Sequence, residues 1–108
     1  MISTEIVDTV RGCPAARVPV ELDYFITGHG WKQVGQGISN AEGRIATFGE
    51  PPAEGIYRLS FDVASHAADA FFPSISVVID VRDAGVDYHL PLLLSAYEIG
   101  RASCRERV

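Results

Sequence analysis

VDYHLPLLLS, residues 86–95, puts Val86, Tyr88, Leu90, Leu92 and Leu94 on one side of an extended chain and Asp87, His89, Pro91, Leu93 and Ser95 on the other. A period of two marks a strand with one buried face, because successive side chains of a pleated chain point to opposite sides. His89 is therefore expected to face away from the core. Pro91 has no N–H to give to a ladder, so the strand is expected to be irregular or unpaired on that side.

The same alternation recurs upstream. RVPVELDYFI (17–26) sets Val18, Val20, Leu22, Tyr24 and Ile26 against Glu21 and Asp23. GIYRLSFDV (55–63) sets Tyr57, Leu59, Phe61 and Val63 against Arg58, Ser60 and Asp62, and SISVVIDV (74–81) sets Ile75, Val77, Ile79 and Val81 against Ser76 and Asp80. SNAEGR (39–44), EPPAEG (50–55) and RDAGVD (82–87) lie between such runs, and their Gly and Asn residues suit the positive-φ positions of tight reversals. One short helix is expected in VASHAADAF (63–71), with Asp62 or Ser65 as its cap. About seven strands and one brief helix point to an all-β fold, a two-sheet sandwich.

The chain has 108 residues, of which 47% are hydrophobic and 21% charged, enough for one domain with a real core. A formal charge of -5 argues against nucleic acid or an anionic membrane as partner. No apolar run approaches the ~20 residues of a membrane span. MISTEIVDTV carries an acid where a secretion signal has basic residues, so a cytoplasmic location is expected. Cys13 and Cys104 form no framework of staples and are expected reduced, and Cys13 has no neighbouring base to make it a nucleophile.

Patterning alone leaves several sandwich families open, among them carboxypeptidase-regulatory-like domains. Five ordered strings narrow the choice: STEIVDTVRGCPAARVPVEL (3–22), GWKQVGQGISNAEGRI (30–45), AEGIYRLSFDV (53–63), FFPSISVVIDVRD (71–83) and DYHLPLLLSAY (87–97). Together they resemble the transthyretin-like family, and within it the bacterial 5-hydroxyisourate hydrolases, in register from about Ile2 to Tyr97. The resemblance implies a transthyretin-like β-sandwich and hydrolysis of the lactam of 5-hydroxyisourate, a small purine-derived substrate. It implies no metal or organic cofactor, and a homotetramer whose central channel holds the active sites.

The resemblance also implies a site. His89 matches the family histidine of Y-H-x-P-L-L-L-S; alone, a histidine on a polar strand face is more often a solvated one, but its reference pKa of ~6.5 suits proton transfer at neutral pH. Arg44 matches the arginine that follows the N-A-x-G turn, where its guanidinium could hold a carbonyl and the oxyanion it becomes. Glu5 is a departure, since the family reads S-T-H-V-L-D where this chain reads STEIVD. A carboxylate can accept a proton, but at a reference pKa of ~4.3 it is a weak base unless its surroundings change it. Vertebrate transthyretin, a hormone carrier, lost the same positions, so a non-catalytic ligand-binding relative is the alternative reading, with a plain protein-contact module behind both. His29, in the loop TGHGW, and His66, in the short helix, are expected to be solvated or on a helix face, and Trp31 to pack in the core or at its rim.

EIGRASCRERV (98–108) departs from the family, which continues into a last strand ending in Y-R-G-S. These residues resemble the translation of a DNA-sequencing adapter. The domain is thus expected to occupy residues 1–97, with 98–108 a non-native tail and the activity of the chain impaired.

Overall fold

Among residues 2–48, 53–66, 73–83 and 85–94, which the computed structural model describes, eight strands form two sheets. The first sheet is built on β1 (Ile2–Asp8). The whole length of β1 pairs in parallel with β8 (Tyr88–Leu94), while its other edge is shared by two short antiparallel strands, β2 (Cys13–Pro14) and β5 (Arg44–Ile45). The second sheet is an antiparallel set in the order β4 (Gly30–Ile38), β3 (Pro19–Ile26), β6 (Gly55–Asp62), β7 (Ser74–Val81).

The core between the sheets is made by the alternating runs. Tyr57, Leu59, Phe61 and Val63 are fully buried, against Ile2, Ile6 and Leu94 from the first sheet and Val20, Leu22 and Val81 from the second. Each such aliphatic or aromatic side chain contributes about 1.5–3 kcal/mol by leaving water. In β8 the inward residues are Tyr88, Leu90, Leu92 and Leu94, and His89, Pro91 and Leu93 are exposed, as the period of two implies. Pro91 lies beside Glu5 in the parallel ladder, and the far edge of β8 has no partner among the described residues. β3 departs from strict alternation: a bulge between Leu22 and Asp23 turns Asp23 into a nearly buried position, where Arg58 reaches it at 2.9 Å.

The expected helix is a single 3-10 turn, Val63–Ser65, and residues 67–71 of that stretch lie outside the described residues. Asp62 stands at its N-cap position, but its carboxylate accepts no backbone N–H of the turn and instead accepts the Ser65 hydroxyl at 2.9 Å. Trp31 is not in the core. It lies half exposed on the outer face of the second sheet, edge-on to Phe25, with the Arg58 guanidinium 4.4 Å from its ring centre.

His66 also corrects its expectation. It is largely buried, and its Nε2 is 3.1 Å from Asp8 Oδ2. Asp8 is fully buried at the end of β1 and accepts the N–H groups of Val10 and Arg11 and the Arg11 guanidinium as well, so a turn of one sheet is tied to the loop leaving the other. Cys13 is half-buried in β2, opposite Asp8. Cys104, the proposed boundary near Tyr97 and the segment 98–108 lie outside the described residues. No helix among the described residues is long and apolar enough to cross a membrane.

Candidate functional site

β1 alternates with the core as strictly as β6 does, and its outward residues are Ser3, Glu5 and Val7. Register then decides their neighbours. Ser3 is level with His89 on the parallel side, and Glu5 stands opposite Arg44 on the antiparallel side. Three strands far apart in sequence thus place Glu5 between an arginine and a histidine on one outer sheet face.

The turn before β5 aims Arg44. Asn40 Oδ1 accepts the N–H of Glu42 at 2.9 Å and of Arg44 at 3.0 Å, while Asn40 and Arg44 close the loop through Asn40 N–H and Arg44 C=O at 3.0 Å. Gly43 sits at φ 76°, and a Cβ there would run into the Ile6 carbonyl, so no other residue fits this turn as built. Gly43 C=O accepts the Ile6 N–H at 2.7 Å and so locks the turn onto β1.

Arg44 Nε is 3.5 Å from Glu5 Oε2, His89 Nε2 is 3.8 Å from Glu5 Oε1, and Ser3 Oγ is 2.9 Å from His89 Nδ1. The side chains of Arg44 and His89 are 59% and 51% exposed, and that of Glu5 is 31% exposed. Ion pairs this open contribute about 0–1 kcal/mol to the fold, so the cluster is not there as a strut. Its charges are available to a ligand. They line an open cleft of about 330 Å³ together with Ala46 and Ile45. A larger cleft of about 500 Å³ runs along Pro19–Glu21 and Gln36–Ile38, but Glu21 is its one ionisable side chain, and chemistry that moves protons has no pair of groups to use there.

All three residues singled out from the sequence, Glu5, Arg44 and His89, meet in the smaller cleft. Ser3 was missed. Its signal was available in STE, where residues 3 and 5 must share a face, but nothing local to β1 says that His89 will lie alongside. Among the described residues no group of three or more His, Cys, Asp or Glu side chains is placed to hold a metal ion. The cleft can do proton transfer and polarise a carbonyl: two proton acceptors 3.8 Å apart border the guanidinium of Arg44.

Comparison with known proteins gives the family of the chain. Residues 2–100 match the model of the HIUase/Transthyretin family. The chain is 33% identical to the uric acid degradation bifunctional protein TTL of Arabidopsis thaliana over 111 residues, covering 89% of this chain and 34% of that protein, about a third of its length. It is 35% identical to the 5-hydroxyisourate hydrolase of Salmonella typhimurium over 103 residues, covering 90% of this chain and 75% of the relative. Among solved structures, the 5-hydroxyisourate hydrolase of Klebsiella pneumoniae superposes with a TM-score of 0.75 at 29% identity, covering 94% and 92% of the two chains. Sea bream transthyretin in complex with thyroxine gives a TM-score of 0.82 at 26% identity, covering 99% and 97%.

Proposed function

Because the chain belongs to the HIUase/Transthyretin family, we propose that it is a 5-hydroxyisourate hydrolase that opens the lactam of this purine-derived ring with Arg44, His89 and Glu5. The observation that carries the assignment of residues is the position of Glu5 between Arg44 and His89 on one open face, 3.5 and 3.8 Å from their nearest nitrogens.

The chemistry follows from the spacing. Nε2 of His89 and Oε1 of Glu5 are too far apart to bond each other, and close enough for both to accept the hydrogens of one water molecule. That leaves the water's lone pair directed into the cleft. Arg44 holds the lactam oxygen and stabilises the negative charge that gathers there as water adds. His89 takes the proton, Glu5 opposes the charge of the imidazolium so formed, and the same proton passes to the ring nitrogen as the C–N bond breaks. The open face suits a channel closed by other copies, so a cytoplasmic homotetramer is part of the proposal.

The test is consumption of 5-hydroxyisourate by purified protein, followed against its spontaneous decay. Catalysis well above that decay, lost in His89→Ala and Arg44→Ala, supports the assignment; a wild-type rate equal to the spontaneous one defeats it. Glu5 in place of the family histidine favours a second reading, a small-ligand binder without catalysis. That reading requires an inactive wild type that gains activity in Glu5→His.

A further inference from the structure

Ser3 and His89 lie level with each other in the parallel β1–β8 ladder, and both side chains leave the sheet on the outer face. Their juxtaposition is therefore set by backbone register across a sequence separation of 86 residues. Ser3 Oγ stands 2.9 Å from Nδ1, well within hydrogen-bond range, whereas the far nitrogen has its nearest carboxylate oxygen at 3.8 Å, outside it. The charged groups facing the ring are Glu5 from β1 and, beyond it, Arg44 from β5.

A neutral imidazole carries its proton on one nitrogen, and the hydrogen bond made by the other atoms of the ring decides which. We propose that Ser3 is a positioning residue: its oxygen accepts the Nδ1–H of His89, fixing the ring in the one tautomer whose Nε2 lone pair faces the cleft beside Glu5. The catalytic consequence rests on the hydrolase reading, but the tautomer does not. When Nε2 takes a proton, Nδ1–H stays on Ser3 and the new positive charge faces the Glu5 carboxylate 3.8 Å away, so the ring keeps its orientation. Without Ser3 the ring can flip or donate Nε2–H straight to the carboxylate, which removes the lone pair from the cleft.

The experiment is nitrogen-15 NMR of the histidine ring in the full chain without substrate, on wild type, Ser3→Val and Ser3→Thr. Valine keeps the strand and deletes the hydroxyl; threonine has the shape of valine and keeps the hydroxyl, so the pair isolates the hydrogen bond. Wild type and Ser3→Thr are expected to show a protonated Nδ1 and a free Nε2 for His89, and Ser3→Val a shift toward the other tautomer. In turnover, kcat is expected to fall about tenfold in Ser3→Val with KM little changed, below the ~10²–10⁴ lost with a proton-transfer group itself, and to recover in Ser3→Thr. A wild-type ring protonated at Nε2, or a ring spectrum unchanged in Ser3→Val, overturns the proposal. The spectrum is read without turnover, so it decides the role of Ser3 whether or not hydrolysis is observed.

Discussion

Glu5 and Arg44 face each other across the antiparallel β1–β5 ladder, with Arg44 Nε 3.5 Å from Glu5 Oε2, on a face that the core does not use. An arginine so exposed gains little from the pair, which leaves its positive fork free to meet a carbonyl. Arg44→Gln is expected to lower kcat for 5-hydroxyisourate by about 10²–10³ while the thermal midpoint stays close to that of wild type. Steady-state kinetics beside a melting curve checks both parts, and an unfolded variant would show in the second.

Glu5→Gln keeps the shape of the side chain and removes its charge. It is expected to lower kcat by about 10², because the imidazolium of His89 then forms without an opposing carboxylate. Glu5→His should retain more activity than Glu5→Gln, since an imidazole can still accept a hydrogen from water. Comparing the two variants under one assay is sufficient.

Gly43→Ala forces a Cβ toward the Ile6 carbonyl at a positive φ. The strain of a non-glycine residue there is about 1–3 kcal/mol, and its relief would shift the loop that aims Arg44. Urea denaturation is expected to show the loss of stability, and kinetics a fall in kcat. A neutral result on both counts would mean that the turn does not control Arg44.

Asp8 is buried under the Val10 and Arg11 amides, the Arg11 guanidinium and His66. Asp8→Ala strands the Arg11 guanidinium and the His66 ring in a largely buried setting and is expected to cost on the order of 3 kcal/mol. Denaturant titration measures it, and kinetics on the surviving folded fraction should be near normal because Asp8, Arg11 and His66 do not line the cleft.

Burial pushes the Tyr57 hydroxyl above its ordinary value of 10.0, with the nearby Tyr24 adding to the effect and the hydrogen bond with Ala53 opposing it. The folded state therefore holds this proton more tightly than the unfolded one. Tyr57 supports the fold fully below the ordinary tyrosine value, and that support falls as pH rises above it toward the folded value. Thermal melts at increasing alkalinity should fall steeply in wild type and less steeply in Tyr57→Phe.

Much of this architecture was legible from period alone: Tyr57, Leu59, Phe61 and Val63 are all buried, and His89 points outward. Alternation reports which face a residue takes, because a pleat leaves no choice. It is silent about which strand lies alongside, so the meeting of Glu5, Arg44 and His89 came from likeness to a family, and Ser3 was not seen at all. An alanine-rich stretch such as VASHAADAF carries no mark of a buried carboxylate 58 residues away, so the sequence alone leaves His66 solvated or on a helix face. Asp23 was likewise assigned to the wet face, since a bulge leaves no trace in an alternating pattern.

The parallel ladder between β1 and β8 has a consequence for the order of events during synthesis. Of the described strands, β1 is the earliest in sequence and meets its long-edge partner β8 only after the other six have been made, whereas the four antiparallel strands of the other sheet can join through nearer neighbours. Until then the cleft has Glu5 and Arg44, brought together by β1 and β5, but lacks His89. A strand order of this kind brings His89 to the cleft last, and a fault within β8 would strike the cleft while leaving the antiparallel sheet intact.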